Sequence, residues 1–341
     1  MGRAPFSKKE GHLVKRVFIT GVSGYFGSKL VEHLGSKEDI GEIIGIDIAQ
    51  PKRPSAKLTF ISHDVRSDMY PLLKDRDIDW AIHAAFILPP IHDKGLMEDI
   101  NIGGTENFLS SCLKAGIPQL LQCSSTTAYG FYPDNDMPLT EESPLRGNAD
   151  FTYAKNKREL EAVCSRFQQE HPDISLTVIR PCFVVGPGFD NPLAHHLQKK
   201  IVMLPSNSIP FQFIHEDDLV ELIYILLKEK KTGAYNLVAD GTMSFDEMVQ
   251  ILGNWQIKLP YTFLYIMNNL MWSLRMKFIT EFPSTGLKMI VYQWIASNGK
   301  LKRDIGYTFN YTTREAFEDF ARHVKENKAS MFSLIFSAFT K

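Results

Sequence analysis

Six short apolar runs alternate with amphipathic stretches between Val17 and Pro181, and few folds accommodate that order. The runs are VFIT (17–20), EIIGIDI (42–48), LTFIS (58–62), WAIHAA (80–85), QLLQCSS (119–125) and LTVIRP (176–181). Such runs are typical of strands buried on both faces. Helical spacing follows between most of them, as in 25–35, 98–115 and 153–170. The sequence therefore predicts an α/β protein with a doubly wound parallel sheet and ligands at the carboxyl ends of its strands.

Three glycines stand where the first predicted strand gives way to a helix, in FITGVSGYFGSKL (18–30). The start of a helix carries unpaired N–H groups and a dipole that favours a phosphate. Gly21 would make the tight turn, Gly24 would admit the phosphates, and Gly27 would let helix and strand pack closely. Asp47 ends the second strand, where a carboxylate accepts hydrogen bonds from ribose hydroxyls and repels a 2′-phosphate. The pattern favours NAD over NADP.

A tyrosine and a lysine, Tyr153 and Lys157, lie four residues apart in FTYAKNKREL and so share one face of a helix. A phenol is a weak base at neutral pH, but a nearby ammonium favours the phenolate. Such a tyrosine can take and return the proton of a substrate hydroxyl. Ser124 and Ser125 end an earlier strand, where a hydroxyl could orient the same oxygen.

The ordered set of motifs resembles the extended short-chain dehydrogenase/reductase family, which includes NAD-dependent epimerases/dehydratases and 3β-hydroxysteroid dehydrogenases. The resemblance runs from about Val17 to Leu219. It rests on Thr20-Gly21-x-x-Gly24-x-x-Gly27, Asp47, Asp64-Val65, His83-Ala84-Ala85, Asn101, Gly104-Thr105, Ser124-Ser125, Ala128-Tyr129-Gly130, Tyr153-x-x-x-Lys157, Arg180-Pro181, Gly186-Pro187, His215 and Asp217-Asp218.

The resemblance implies a role for each matching residue. Tyr153 would be the general acid/base, Lys157 its pKa modulator and ribose ligand, and Ser125 the third catalytic residue. Cofactor contacts are expected at Gly21, Ser23, Gly24, Tyr25, Phe26, Gly27, Asp47, Asp64, Val65, Ala84, Ala85, Asn101, Ser124, Tyr153, Lys157 and Pro181. Substrate contacts are expected at Phe86, Thr126, Phe183, Asn191 and Phe211.

The resemblance also implies a Rossmann fold with a smaller, mostly helical C-terminal region that binds substrate. We expect a flexible arm over 1–15, an NAD-binding domain over 16–181 and 216–240, a substrate-binding region over 182–215 and 241–328, and an apolar tail over 329–341. Within these ranges we predict helices at 216–229, 244–252 and 312–324 and a strand at 234–239. Ser244 and Glu247 have capping-box spacing at the second of these helices. A homodimer is an expectation at family level.

Two departures from family patterns bear on the reaction. Dehydratases of the family carry an Asp-Glu pair after the catalytic hydroxyl residue, whereas Thr126 and Thr127 stand here, which disfavours dehydration. Nucleotide-sugar epimerases carry an arginine where this chain has Phe211. Its loss removes a charge-assisted contact to a diphosphate worth about 1.5–3 kcal/mol, although Lys199 or Lys200 could substitute.

Composition limits the partners of the chain. Its 341 residues are 44 % apolar and 23 % charged, with a net charge of −1, so nothing indicates a nucleic-acid surface. The four cysteines have no metal-like spacing, and reduced thiols in the cytoplasm are expected. His195, His196 and His215 are interpreted as structural, so we expect no metal. The apolar block 259–279 fits a packed helix of the substrate region best, with a helix at a membrane surface second and a spanning helix third.

Three functional hypotheses stay open. The leading one is an NAD-dependent epimerase of the nucleotide-sugar type that acts on a secondary alcohol by hydride transfer. A 3β-hydroxysteroid or sterol-type dehydrogenase is the alternative. A non-catalytic NAD-binding sensor is the third, although such proteins typically lose the Tyr or the Lys that is present here.

Overall fold

The computed structural model describes residues 14–53, 55–88, 91–207, 209–276 and 279–339, with side chains up to residue 327. Two compact units make up the chain. Unit 1 comprises the chain through Ser124 together with Asn156–Arg180 and Val220–Tyr235, and unit 2 comprises Ser125–Lys155, Pro181–Leu219 and the chain from Asn236 onward.

The strands, in chain order, are β1 (Lys15–Thr20), β2 (Ile40–Asp47), β3 (Leu58–Ser62), β4 (Trp80–His83), β5 (Gln119–Cys123), β6 (Ser175–Pro181), β7 (Phe183–Val185), β8 (Ile201–Pro205), β9 (Pro210–Phe211), β10 (Phe213–His215), β11 (Gly233–Leu237), β12 (Met243–Ser244) and β13 (Trp255–Leu259). The α-helices are α1 (Tyr25–Ser36), α2 (Tyr70–Leu73), α3 (Lys94–Glu98), α4 (Gly104–Ala115), α5 (Thr152–Glu170), α6 (Pro192–Leu197), α7 (Glu216–Lys228), α8 (Phe245–Leu252), α9 (Tyr261–Ser273), α10 (Gly299–Ile305) and α11 (Thr313–Phe339). A π-helical segment covers Asp99–Gly103, and 3-10 turns cover Thr126–Tyr129 and Ser284–Ile290.

A single large sheet forms the centre of unit 1. Among the described residues it has seven strands in the order β11, β6, β5, β4, β1, β2, β3, and the pairs from β6 to β3 are all parallel. The strand order reverses between β1 and β4, which is where such sheets bind their ligands. Thr20 at the end of β1 pairs with Ile46 on one side and His83 on the other, so three strand ends meet there. The predicted doubly wound Rossmann architecture is confirmed.

The core of unit 1 follows from the apolar runs. Val17, Phe18 and Ile19 of β1 are fully buried, as expected of a strand with helices on both faces. The ring of Phe18 stacks on Phe108 of α4, with centroids 6.4 Å apart. Burial of each such side chain contributes about 1.5–3 kcal/mol, so the central strands are the most firmly held part of the sheet.

Unit 2 is assembled from shorter pieces. In the part described, its two-stranded sheets pair β7 with β10 and β8 with β13 in parallel and β9 with β12 in antiparallel orientation. Its interior is aromatic: Phe211 packs against Phe245 at 4.5 Å and against Trp294 at 6.1 Å between centroids. Helix α8 begins with the predicted capping box of Ser244 and Glu247.

Several predicted boundaries shift in the structure. The fourth run ends as a strand at His83 rather than at residue 85, and the helix expected over 98–115 divides into α3, the π-helical segment and α4. The arm predicted over 1–15 lies outside the described residues up to position 13, while Lys15 begins β1. The side chains of the predicted tail 329–341 also lie outside them, although the backbone of α11 runs to Phe339. No helix in the described ranges has the length and apolarity needed to cross a bilayer.

Candidate active site

The glycine turn after β1 is closed by backbone contacts. A Cβ on Gly27 would lie 1.9 Å from the carbonyl oxygen of Gly21, so only glycine lets α1 start so close to β1. Gly21 has a φ of +76°, and a Cβ there would lie 2.7 Å from the backbone of Ala85. The fold itself therefore requires both glycines.

Gly24 differs from its two neighbours in the turn. A Cβ at Gly24 would meet only the oxygen of Gly21, at an ordinary 3.5 Å. Gly24 is also the N-cap of α1 and supplies no side-chain cap. Packing within the chain thus gives no reason for glycine here, whereas a phosphate close to the helix start does. Tyr25 and Phe26, two further predicted cofactor residues, are half-buried in the first turn of α1.

Asp47 holds the loop that follows β2. One carboxylate oxygen accepts a hydrogen bond from the N–H of Ser23 at 3.0 Å, and the other accepts from the N–H of Ala49 at 3.1 Å. The hydroxyl of Ser23 in turn donates to the carbonyl of Ala49 at 2.6 Å. Asp47 is therefore anchored beside the glycine turn, where a ribose would lie if the pyrophosphate occupies the start of α1.

Buried hydrogen bonds fix the segment after β4. The hydroxyl of Thr20 lies 2.7 Å from Nδ1 of His83, and its oxygen accepts from the N–H of Ala85 at 3.2 Å. Burial and then the charge of Lys157 lower the pKa of His83 to about 3, so this ring is neutral. Asn101 is fully buried and accepts from the N–H of Ile87 at 2.8 Å. Ala84 and Ala85 are thus held between two fixed points.

Asp64 and Val65 come directly after β3. In the strand order β3 and β4 lie on opposite sides of β1, the strand that leads into the glycine turn. The Arg66 guanidinium lies 2.6 Å from the Asp64 carboxylate and lowers its pKa. Val65 is 8 % exposed and packs where a Cβ on Gly104 would lie only 2.9 Å away. Val65 is consequently fixed against the start of α4, with its partners all in unit 1.

Lys157 is a buried lysine of unit 1. Its Nζ donates to the carbonyl of Cys123 at 3.1 Å and lies 3.4 Å from the ring centroid of Phe86. Burial lowers the pKa of Lys157 to about 7, against the opposing influence of nearby acidic groups that include Glu161. The predicted substrate residue Phe86 therefore packs against the lysine through a cation–π contact.

An ion pair that the sequence did not predict lies one helical turn beyond Lys157. The Glu161 carboxylate accepts hydrogen bonds from Arg180 at 2.6–3.0 Å, and the two side chains are only 4 % and 6 % exposed. Ser124, expected to contact the cofactor, donates its hydroxyl to this same carboxylate. The spacing from Lys157 to Glu161 places the carboxylate on the same face of α5 as the lysine, but no sequence spacing indicates its partner on β6.

The remaining catalytic candidates belong to unit 2. Burial raises the pKa of Tyr153, and the neighbouring hydroxyls of Ser125 and Thr127 act in the opposite direction. Ser125 and Thr126 each donate to the carbonyl of Pro181 at 3.3 Å. The Ser125 hydroxyl is therefore near enough to the phenol of Tyr153 to influence its pKa, and α5 carries Tyr153 and Lys157 one turn apart.

The other predicted substrate residues have clear packing roles in unit 2. Phe211, which stands where nucleotide-sugar epimerases carry an arginine, is 1 % exposed. Its ring belongs to the aromatic core of unit 2. Phe183 packs on Phe211 at 6.0 Å and on Trp294 at 5.6 Å between centroids. Asn191 caps α6 by accepting from the N–H groups of Leu193 and Ala194.

The three histidines singled out in the sequence have protein partners. His195 lies between the carboxylates of Asp190 and Glu281. The Nε2–H of His196 donates to the carbonyl of Met203 at 2.9 Å, and the ring of His215 stacks on Tyr311 with centroids 3.9 Å apart. Within the described ranges no group of three or more His, Cys, Asp or Glu side chains could hold a metal ion.

The family of the chain follows from comparison with known proteins. The model of the NAD dependent epimerase/dehydratase family matches residues 17–238, from β1 through β11. The chain belongs to this family. As an epimerase/dehydratase family member it is an NAD(P)-dependent enzyme of the extended short-chain dehydrogenase/reductase type.

The relatives found by sequence have low identity to this chain but match most of its length. An uncharacterized protein of Mycobacterium tuberculosis is 23 % identical to this family member over 317 residues, which cover 90 % of this chain and 84 % of that protein. The short-chain dehydrogenase/reductase family 42E member 1 of Homo sapiens is 25 % identical over 269 residues, or 72 % of this chain and 66 % of that protein.

Solved structures share the fold of this epimerase/dehydratase family member. The Bordetella bronchiseptica enzyme WbmG, solved in complex with NAD, matches with a TM-score of 0.73 at 19 % identity, over 95 % of this chain and 96 % of that one. A UDP-galactose 4-epimerase matches with a TM-score of 0.70 at 17 % identity, over 92 % and 99 %. At these identities the likeness establishes the fold.

Proposed function

We propose that this protein is an NAD-dependent epimerase that inverts a secondary alcohol of a nucleotide sugar by hydride transfer. The nearness of the Ser125 hydroxyl to the phenol of Tyr153, whose pKa it lowers against burial, is the observation that carries this proposal. Such an arrangement would let a proton acceptor and an orienting hydroxyl act on one substrate oxygen. Lys157, one turn along α5, supplies the cation that the resemblance requires.

The residues of the glycine turn fit the cofactor. The open approach at Gly24 and the uncapped start of α1 suit a pyrophosphate, and Asp47 suits the hydroxyls of a ribose without a 2′-phosphate. We therefore propose NAD rather than NADP. Bound NAD would accept a hydride from the substrate carbon and return it.

Side chains of this protein would carry out the proton transfer. Ser125 would orient the substrate hydroxyl, and Tyr153 would take its proton as the alcohol becomes a ketone. Tyr153 would then return that proton when the hydride comes back to the opposite face. Lys157 would favour the phenolate of Tyr153 against the burial that raises its pKa. Because the phenolate is the base, alcohol oxidation should speed up with pH only until Lys157, whose pKa burial lowers to about 7, loses the charge that favours the phenolate.

The choice of a nucleotide sugar rests on the fold neighbours. The solved structures with the same fold include MoeE5 in complex with UDP-glucuronic acid and NAD, at a TM-score of 0.72 and 18 % identity over 92 % of this chain and 99 % of that one. Thr126 and Thr127 offer no acid and base for elimination, so we propose epimerisation and not dehydration. The homodimer and the cytoplasmic location complete this proposal as predictions.

A second candidate is a dehydrogenase of an apolar secondary alcohol, such as a 3β-hydroxysteroid. The uncharged Phe211, in place of the arginine that nucleotide-sugar epimerases carry, favours it. An epimerase keeps its cofactor and leaves the NADH level unchanged, whereas a dehydrogenase releases NADH. A panel of UDP-sugars and 3β-hydroxysteroids, assayed for epimer formation and for NADH absorbance, therefore separates the two candidates.

Replacement of the phenol tests the chemistry shared by both candidates. Tyr153→Phe should lower turnover by about 10²–10⁴-fold and leave the affinity for NAD nearly unchanged, as measured by calorimetry. Tyr70→Phe, on α2 of unit 1, is the matched control and should keep full turnover. Persistent turnover in Tyr153→Phe would refute the proton-transfer role. A protein that binds NAD and turns over no substrate in the panel would instead indicate the sensor hypothesis.

A further inference from the structure

Exposed apolar side chains are concentrated in one stretch of unit 2. Eleven large apolar side chains are exposed among the described residues, and six of them fall between positions 255 and 274. They are Trp255, Ile257, Phe263, Ile266, Leu270 and Leu274. Single exposed apolar residues are ordinary, but a contiguous group marks an interaction surface.

Helix α9 has one packed face and one exposed face. Leu264 is 6 % exposed on the packed side. Asn268 on that side donates to the carbonyl of Phe282 at 3.0 Å and lies 3.3 Å from the hydroxyl of Ser284. These contacts fix the orientation of the helix within unit 2.

The exposed face of α9 is a stripe of large apolar residues. Phe263, Ile266 and Leu270 are 54 %, 64 % and 54 % exposed, and their spacing of three and four places them on one side of the helix. Leu274, just after the helix, extends the stripe with 59 % exposure. No charged residue occurs anywhere in α9.

The strand before α9 also exposes large apolar side chains. Trp255 is 74 % exposed and pairs in register with Ile201 of β8, which is 54 % exposed. Ile257 lies two residues further along β13 on the same face, at 47 % exposure. Strand β13 leads through Pro260 directly into α9. We call the group from Trp255 to Leu274, with Ile201, the apolar face.

The chain segment that forms most of the apolar face carries charge of one sign. From Met248 to Thr280 the sequence contains no Asp or Glu, and its charged residues are Lys258, Arg275 and Lys277. Lys258 is paired with Asp246 at 2.9 Å. Arg275 is exposed after α9, and the carbonyl of the exposed Lys200 accepts from the N–H of Trp255. Two exposed cations therefore flank the apolar face in the described structure.

We propose that the apolar face binds the surface of an anionic lipid bilayer. An uncharged helix with Phe, Ile, Leu and Trp on and beside it inserts its apolar side among the acyl chains, while the flanking cations attract anionic headgroups. The 13 residues of α9 are too few to span the hydrocarbon core, so the contact is peripheral. A second copy would supply no acidic residue from this face to pair with Arg275 and Lys200.

Vesicle co-sedimentation of the full chain tests this proposal. Binding to vesicles of phosphatidylcholine with phosphatidylglycerol should exceed binding to phosphatidylcholine alone and should weaken as salt is raised. Phe263→Glu and Ile266→Glu should each lower partitioning by about tenfold or more. Leu96→Glu, an exposed apolar residue of α3 in unit 1, is the matched control and should bind as the wild type does.

Three outcomes would overturn the proposal. They are no binding to anionic vesicles, binding that Phe263→Glu and Ile266→Glu leave unchanged, and a dimer in sedimentation velocity that either substitution dissociates. The substituted side chains are exposed, so thermal unfolding should match that of the wild type. The vesicle assay is independent of the epimerase proposal, because it measures partitioning and not turnover.

Discussion

Unit 1 and unit 2 differ in what each places inside and outside. Unit 1 buries a charged pair, Glu161 and Arg180, at 4 % and 6 % exposure. Unit 2 holds its His195 cluster at the surface, with the histidine 43 % exposed, and leaves the apolar face uncovered. A buried pair needs fixed geometry, whereas an exposed cluster tolerates change. The Glu161–Arg180 pair is therefore expected to be held more rigidly than the His195 cluster.

Removal of the buried negative charge should have the largest effect on stability. Glu161→Gln leaves the Arg180 guanidinium buried without its carboxylate, and we expect the free energy of unfolding to fall by about 3–5 kcal/mol. Urea denaturation measures this loss. Glu159→Gln makes the same change on the same helix at a side chain that is 27 % exposed, and should cost about 0.5 kcal/mol or less. Equal losses in the two variants would contradict the contrast between buried and exposed pairs.

The glycine turn allows a sharper test within unit 1. Gly27→Ala puts a Cβ 1.9 Å from a backbone oxygen, and we expect a loss of about 2–4 kcal/mol in unfolding free energy. Gly24→Ala meets only a 3.5 Å contact and should change stability by about 1 kcal/mol or less. Gly24→Ala should nevertheless weaken NAD binding by about tenfold in calorimetry, because a Cβ obstructs the phosphates. A Gly24→Ala variant with normal NAD affinity would show that the turn serves packing alone.

The ion pairs of His195 with Asp190 and Glu281 should make the smallest contribution to the free energy of unfolding. Hydrogen bonding to Glu281 and then to Asp190 raises the pKa of His195 above its ordinary 6.5, against desolvation. A raised pKa in the folded state contributes stability below the unfolded pKa, and that stability is lost as the pH rises through the folded value. The contribution should be about 1 kcal/mol or less because the ring is partly exposed.

The variant His195→Gln isolates this contribution. The difference in unfolding free energy between wild type and variant should be largest below pH 6.5 and should shrink at alkaline pH. A difference that grows with pH would mean that the histidine is neutral in the folded protein.

The sequence predicts unit 1 well because each central strand is buried on both faces. Runs such as 58–62 and 119–125 become β3 and β5 with small changes at their ends. The fourth run is shorter than expected because the oxygen of Thr20 accepts the N–H of Ala85, which takes that residue out of the strand ladder. The π-helical segment before α4 has no sequence period that would distinguish it from an α-helix.

Unit 2 is less predictable for two physical reasons. Strands of two or three residues, such as β9 and β12, are too short to show any alternation. The sequence also does not reveal which aromatic rings face inward. The ring of Phe211, a predicted substrate contact, packs in the core with Phe245 and Trp294.

The predicted site residues also differ in how far the sequence reveals their contacts. Gly21, Gly27 and Asp47 occupy the turn that the sequence predicts, since the strand ends bring them together. The sequence does not show that the hydroxyl of Ser124 is committed to Glu161, because that contact depends on the packing of α5 against β5.

The two hydrogen bonds that Asp47 accepts have a consequence for protein engineering. If the enzyme uses NAD as proposed, a designer who wishes to convert it to NADP would first remove this carboxylate, because it would repel the additional phosphate. That substitution would also strip the acceptors from the N–H groups of Ser23 and Ala49. Selectivity and loop order are therefore coupled, and an asparagine, which keeps one acceptor oxygen, is a better first replacement than alanine or glycine.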